Sequence, residues 1–224
     1  MLEEGEDEMN RQDIKNRLPL SEELENRVLA NLDEAVQKSD GVAVLDQVQE
    51  RNCGVITDRV RERLADLADR YSDKFLFVDS RVRIGDFRRV IIKPNRYEAA
   101  AAAGMGDDPS VEEAREAARI LSQRTGRPVF MTMDKSGILV VKDAESWSVP
   151  AVPVDGPIDI VGAGDSTTAG ATLALLSGAT FAEAAAIGCL VASVTIRQLG
   201  TTGTASPQQV LEAFDRTGDL YAEV

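Results

Sequence analysis

Short apolar runs that each stop at a polar residue recur along this chain, with helix-period segments between them. Val42 to Leu45 ends at Asp46, Phe75 to Val78 at Asp79, and Val90 to Ile92 at Lys93-Pro94-Asn95. After Pro19 and Ser21, residues Leu24, Val28, Leu29, Leu32 and Val36 follow helical spacing until Asp40-Gly41, and Val60, Leu64 and Leu67 repeat the pattern. Runs this short suit buried strands, and the spacing between them suits amphipathic helices. Such alternation predicts βαβ units, a mostly parallel sheet and an α/β fold class. Open sheets of this kind bind ligands beyond the carboxyl ends of their strands. Asp46, Asp79, Lys93-Pro94-Asn95 and Thr132 all follow apolar runs and are expected to face one cleft, unless they only mark where loops begin.

The rest of the chain continues the alternation. Ala99 to Ala103 and Val111 to Leu121 read as helices separated by Gly104, Gly106 and Pro109. Val129 to Thr132 and Ile138 to Val141 read as strands around a turn at Asp134 to Gly137, and Trp147 to Ile158 as an extended, proline-punctuated stretch. Gly164 to Leu176, Phe181 to Leu199 and Pro207 to Phe214 read as helices. The most apolar region, Ala169 to Ile196, is interrupted by Ser177, Gly178 and Glu183, which suits two buried helices rather than a membrane span.

Charge and composition narrow the function classes. A net charge of −13 argues against non-specific nucleic-acid binding and against an anionic membrane surface. It leaves room for an anionic nucleotide held by local backbone donors and a metal. The chain has no His, so His-based catalysis and His metal ligation are excluded, and Cys53 and Cys189 match no metal spacing. A reduced, cytoplasmic setting is the expectation. The acidic start (Glu3, Glu4, Glu6, Asp7, Glu8) carries no apolar segment of the kind a signal peptide needs.

The stretch with most chemical content is Asp159-Ile160-Val161-Gly162-Ala163-Gly164-Asp165. Apolar residues lead into a tight turn of small residues, and a helix begins there. Glycines let backbone approach a ligand closely, free N–H groups at a helix start bind anions, and Asp165 adds a carboxylate that can accept a hydroxyl proton. A carboxylate is favoured in its charged form at that position. The competing reading is a glycine-rich turn selected for close helix packing. A dinucleotide fingerprint fits poorly, because its third small position is occupied by Thr167 and the motif lies late in the chain.

Three further segments carry two readings each. Asn95-Arg96-Tyr97-Glu98 offers amide and carboxylate oxygens for phosphate-bound Mg²⁺, or is simply a capped helix start with Asn95 as cap and Glu98 at its third position. Thr132-Met133-Asp134-Lys135-Ser136-Gly137 is a nucleotide-binding loop or a hairpin turn. Gln198-Leu199-Gly200-Thr201-Thr202-Gly203 is part of a site or a glycine helix stop.

Taken in order, Asn95-x-x-Glu98, Thr132-x-x-x-x-Gly137 and Asp159-x-x-Gly162-Ala163-Gly164-Asp165 resemble the PfkB/ribokinase family of sugar kinases, closest to its heptose 7-phosphate kinase branch. The branch resemblance rests on the helix pair after the aspartate and on the Leu199-Gly200-Thr201 ending. The resemblance implies a ribokinase-like three-layer α/β/α fold and ATP-dependent phosphorylation of a sugar or sugar-phosphate hydroxyl with Mg²⁺. It implies Asp165 as catalytic base and Gly162, Ala163 and Gly164 as the anion hole. It places Asn95, Arg96, Tyr97 and Glu98 in the ATP/Mg²⁺ segment, with Glu98 toward the metal, and Thr132, Asp134, Gly137 and Gly200 around the nucleotide.

This chain departs from the family pattern in two ways. Asp134 stands where the turn usually has glycine; Asp tolerates a positive φ better than most residues, but brings negative charge toward phosphates. The family's N-terminal strands, sugar-binding aspartate and β lid have no counterpart here, and Arg11-x-Asp13-x-x-Asn16 resembles the segment that follows the lid. The expectation is a polar segment over residues 1–20 and an incomplete catalytic domain over 21–224, with apolar edges left uncovered. A homodimer is one assembly the family allows for a full-length enzyme. The alternative to an active kinase is a non-catalytic nucleotide-binding remnant, or half of a split kinase that needs a partner chain.

Overall fold

The computed structural model describes residues 15–222. In chain order the elements are α1 (Glu22–Lys38), β1 (Gly41–Asp46), α2 (Asp58–Arg70), β2 (Phe75–Ser80), β3 (Ile91–Ile92), α3 (Arg96–Ala103), α4 (Val111–Thr125), β4 (Val129–Thr132), β5 (Ile138–Lys142), β6 (Glu145–Val149), α5 (Ala163–Leu176), α6 (Phe181–Thr195) and α7 (Pro207–Thr217). The six strands lie in the order β1-β2-β3-β4-β5-β6. β1 to β4 pair in parallel, and β5 and β6 add an antiparallel meander. The expected α/β class and mostly parallel sheet are present.

Strand alternation divides the core into two layers. Val44, Leu76, Val78, Ile92, Val129, Met131, Leu139 and Val141 pack against helices α1 to α4. Phe77, Ile91, Phe130, Ile138 and Val140 point the other way, onto α5, α6 and α7. Side chains of successive strand residues face opposite sides, so both faces of a central sheet must be apolar, and these strands are. Phe77 and Phe130 meet across that second layer with ring centroids 5.2 Å apart.

α5 and α6 pack closely because glycines remove Cβ atoms where the helices meet. A Cβ on Gly170 would lie 2.9 Å from Val191 Cγ2, and one on Gly188 would lie 3.3 Å from the Thr167 carbonyl. The hydroxyls of Thr167, Thr168 and Thr172 donate to carbonyls one turn back, so these buried alcohols of α5 are satisfied. The small-residue packing reading of this segment therefore holds.

Several boundaries differ from the sequence reading. α3 starts at Arg96 rather than Ala99, because Asn95 caps it. α6 ends at Thr195 rather than Leu199, and Gln198 then exchanges hydrogen bonds with the backbone of Thr204. Part of the stretch read only as extended is β6, whose outer residues are largely exposed and carry no continuous apolar run.

β1 is the sheet edge. Its register with β2 puts Ala43 opposite Phe77 and Leu45 opposite Asp79, on the α5 face, yet both are exposed. This matches the expected uncovered apolar edge. Arg11 and Asp13 lie outside the described residues; Asn16 ties its segment to the body by donating to the Cys53 carbonyl at 2.9 Å. Among the described residues no helix is long and apolar enough to cross a membrane.

One cap joins two helices. The buried Thr57 hydroxyl accepts from Val60 N at 3.3 Å at the start of α2. The same hydroxyl, beside Glu25 of α1, holds that carboxyl below its ordinary range. Thr57→Ala is expected to cost about 0.5–2 kcal/mol, read as a lower urea midpoint with an unchanged slope.

Candidate active site

α5 runs across its face of the sheet with its N-terminus at the carboxyl ends of the strands. At one end, a Cβ on Gly41 at the start of β1 would lie 3.0 Å from Leu176; at the other, a Cβ on Gly164 would lie 3.5 Å from Lys93 Nζ and 3.8 Å from Asp79 Oδ2. The positive end of the helix dipole therefore sits where such sheets bind ligands.

The turn into α5 is built by backbone rather than by a capping side chain. Gly162 is the N-cap, with φ of 81°, and a Cβ there would lie 2.8 Å from Thr202 Cγ2. Ala163 N–H donates to the Ile160 carbonyl at 3.1 Å, and Ser166 N–H to Gly162 at 2.9 Å. The N–H groups of Gly164 and Asp165 have no acceptor among the described residues. Of the three residues read as an anion hole, Ala163 thus has its donor already occupied. Asp165 occupies the first turn and its side chain is exposed.

Asp159 fixes the approach to this turn, a role the sequence reading did not assign. Its carboxylate accepts from Val161 N at 3.0 Å and from Gly200 N at 3.2 Å. The Gly200 loop is thereby brought against the α5 turn, with Gly200 itself at φ 68°.

The two segments read as nucleotide-binding adjoin one another. Asn95 forms an isolated parallel bridge with Thr132, and Thr132 N–H donates to the Pro94 carbonyl at 2.9 Å. Asn95 Oδ1 accepts from Tyr97 N at 2.9 Å and Glu98 N at 2.8 Å, while Glu98 Oε2 accepts from Asn95 N at 2.8 Å. The capping box is therefore real. It also aims the Glu98 carboxyl group, with only Oε2 used by the cap.

Asp134 does adopt a positive φ, 50°, in the single 3₁₀ turn between β4 and β5. Its charge is met by Arg96, whose Nε lies 3.5 Å from Asp134 Oδ2 and whose guanidinium carbon sits 4.6 Å from the Tyr97 ring centroid. The negative charge expected to oppose phosphates has a cation beside it.

Burial pushes the Glu98 carboxyl above its ordinary range; the Asn95 backbone N–H opposes this, the Asp79 carboxylate adds to it, and Lys93 and Arg81 oppose it. Among the described residues no three acidic or Cys side chains converge as a complete metal cage. Mg²⁺ needs none, since one or two carboxylates suffice when phosphates and water supply the remaining oxygens. A half-buried carboxyl whose ionisation is disfavoured, with a second carboxylate near it, fits such an ion.

One expectation fails. Asp46 does not join the cleft with Asp79 and Lys93. It pairs in register with Ser80, one residue beyond Asp79, and so points to the opposite face. There it is buried, accepts from Ser80 Oγ at 2.9 Å and lies 3.5 Å from Arg61. Two open clefts also lie away from these residues: about 270 Å³ between α6 and α7, beside Ser193 and Arg216, and about 340 Å³ beside Arg51, Arg61 and Asp86. The turn at α5 is where N–H groups without an acceptor among the described residues stand at a helix start.

Residues 7–209 match the model of the pfkB family carbohydrate kinases. The chain belongs to that family. Over 180 residues it is 31% identical to the Bifunctional protein HldE of Caulobacter vibrioides, covering 78% of this chain and 36% of that protein. It is 38% identical over 117 residues to the 1-phosphofructokinase of Haloferax volcanii, covering 52% of this chain and 37% of the relative. In fold, this pfkB-family chain is similar to phosphofructokinase-2 from Escherichia coli in complex with potassium (TM-score 0.71, 20% identity, 88% of this chain and 63% of that one). It is also similar to Arabidopsis thaliana ribokinase complexed with ribose and ATP (TM-score 0.69, 17% identity, 87% and 59%). The chain thus spans under half the length of the curated relatives it matches, 36% and 37% in these two.

Proposed function

We propose that this chain is the nucleotide-binding and catalytic part of a kinase that transfers the terminal phosphoryl group of ATP to a hydroxyl of a sugar or sugar phosphate. One observation carries the reading: unpaired N–H groups of Gly164 and Asp165 at a helix N-terminus, with a carboxylate on the same turn, stand at the strand ends of a pfkB-family fold. Phosphoryl transfer asks little of a protein beyond alignment and donors placed where charge develops. Here the free N–H groups receive the oxygens of the transferring group. Asp165 accepts the proton of the attacking hydroxyl. Asn95, Thr132, the Asp134 to Gly137 turn and Gly200 frame the nucleotide, with Arg96 and Tyr97 at its edge.

Mg²⁺ fits beside Glu98, where it would offset phosphate charge. Glu98→Gln keeps the capping acceptor and removes the charge. Because the Glu98 carboxyl is raised, its ionised form opposes folding, and this cost grows as pH rises through the raised value. Glu98→Gln is therefore expected to melt above wild type at pH 7 and level with it below about 4.5. The same variant is expected to bind Mg-ATP roughly tenfold or more weakly. Equal Mg-ATP affinity would remove Glu98 from the metal.

A heptose phosphate is the acceptor we favour, from the 31% identity to a Bifunctional protein HldE and the Leu199-Gly200-Thr201 ending. A second reading also has an observation behind it. Exposed Ala43 and Leu45 on β1, with a match of only 36% of that relative's length, favour a chain that acts together with elements outside it. The test combines ATP titration with ³¹P NMR of mixtures containing Mg-ATP and a panel of sugars and sugar phosphates. Nucleotide binding with weak or no sugar-dependent turnover by the chain alone is expected. Strong turnover would show that the acceptor site is complete in this chain, and failure to bind nucleotide would overturn the kinase reading.

A further inference from the structure

Asp134 stands where the family's turn usually has glycine, and the turn itself makes no use of its side chain. Backbone alone closes it: Met133 N–H donates to the Gly137 carbonyl at 2.8 Å, Ser136 N–H to Met133 at 2.9 Å and Gly137 N–H to Asp134 at 3.2 Å. At φ 50° glycine would sit with less strain. The carboxylate therefore needs an account outside the turn. Among the described residues its one cation within ion-pair distance is Arg96, the first residue of α3, with Nε 3.5 Å from Asp134 Oδ2. Asn95, next to Arg96, bridges to Thr132, so the ion pair spans the two segments read as nucleotide-binding.

Asp134 holds Arg96 incompletely. The Arg96 Nε is closed off from solvent yet has no hydrogen-bond acceptor. One of its Nη atoms donates to the Tyr97 hydroxyl, and the guanidinium lies over the Tyr97 ring, 4.6 Å from its centroid. A shielded donor without an acceptor is costly. Position adds to that cost, because α3 begins at Arg96 and a cation at a helix N-terminus opposes the helix dipole. Both costs fall when a well-aligned anion reaches the guanidinium. Asp134 meets that need only in part, from 3.5 Å and without the alignment of a hydrogen bond.

We propose that the Asp134–Arg96 pair is an autoinhibitory contact: Asp134 is an internal anion that holds Arg96, and nucleotide must part the two before Arg96 turns to the nucleotide's own negative charge. The proposal rests on the kinase reading above, which takes these two segments as the nucleotide's. No covalent bond changes in the exchange; one ion pair replaces another. Asp134 thereby lowers nucleotide affinity in two ways, by its own charge and by withholding Arg96. Only the second depends on Arg96, and this separates the contact from a carboxylate that merely repels.

Calorimetric titration of the full chain with Mg²⁺ and a non-hydrolysable ATP analogue tests this. Asp134→Gly is expected to bind about tenfold more tightly than wild type. Arg96→Gln is expected to bind more weakly, and in that background Asp134→Gly is expected to gain only about threefold or less. Asp134→Asn keeps the side-chain size and tolerates a positive φ, so it is expected to match Asp134→Gly, which ties the gain to charge rather than to relief of the backbone. Simple repulsion predicts the opposite order, with the larger gain where Arg96 no longer offsets the charge. A gain as large or larger in the Arg96→Gln background, or no gain from Asp134→Gly alone, overturns the autoinhibitory contact and leaves the kinase reading intact. A gain seen with Asp134→Gly and absent with Asp134→Asn overturns it too. Wild-type chain and variants that all fail to bind the analogue overturn both.

Discussion

Asp165→Asn is expected to lower kcat by about 10²–10⁴-fold while ATP affinity stays close to wild type. Asn occupies the same volume and leaves the Gly164 and Asp165-position N–H groups in place, so the anion site survives. What disappears is the proton acceptor. Asp165 sits in the first turn of α5 with an exposed side chain and no ion-pair partner among the described residues, so its replacement breaks no internal contact. The one structural loss is a charge that suits the helix dipole, worth about 0.3–1 kcal/mol. The measurement is sugar-dependent ADP release, with the acceptor-binding elements of a relative supplied where the chain alone turns over too slowly. Titration of ATP into the variant supplies the control. Unchanged kcat would remove Asp165 from the base role, and a parallel loss of ATP binding would recast it as part of the phosphate site.

Asp165 and Lys93 differ in how much of their surroundings the sequence discloses. Asp165 was legible because its partners are its neighbours: the glycines that make the turn, the helix start and the carboxylate occupy consecutive positions. Asn95 and Glu98 were legible for the same reason, although two readings competed, and the structure lets both stand. Lys93 was expected in the cleft from its place after an apolar run, but its closeness to Gly164 arises only through the packing of α5 across the sheet. Asp46 and Asp79 looked alike as residues at strand ends. They separate onto opposite faces because the parity of β1 and β2 places Asp46 with Ser80 rather than with Asp79. β6 was read only as extended because its alternation, Trp147 and Val149 turned inward between exposed Ser146 and Ser148, is too short to set it apart from the proline-punctuated stretch that follows. The sheet itself was readable because its parallel strands are buried on both faces and so appear as continuous apolar runs.

Gly137→Ala is expected to cost at least about 3 kcal/mol and to lower the melting temperature by roughly 6–12 °C. Gly137 has φ 96° and ψ −134°, a region closed to residues with a side chain. A Cβ there would also lie 2.0 Å from the Val149 carbonyl oxygen and 2.5 Å from Ala151 N, both backbone atoms that cannot rotate away. Relief would require β6 to move from β5, which would break the pairing of Ile138 with Val149. Gly104→Ala gives the cost of a left-handed position without crowding. Gly104 has φ 79° but no atom within 4 Å of its would-be Cβ, so it should cost only about 1–2 kcal/mol. If the two variants melt alike, backbone strain alone explains Gly137 and the close approach of β6 is irrelevant. If Gly137→Ala melts well below Gly104→Ala, the harsher backbone region at Gly137 and the crowding against Val149 both add to the cost. In that case nucleotide affinity should fall too, at temperatures where the variant is still folded. Gly137 N–H donates to Asp134, which faces Arg96, and Met133 N–H donates to the Gly137 carbonyl, beside the Thr132 to Asn95 bridge. Displacing Gly137 therefore displaces the junction between both nucleotide segments, and one methyl group tests whether that junction is part of the site.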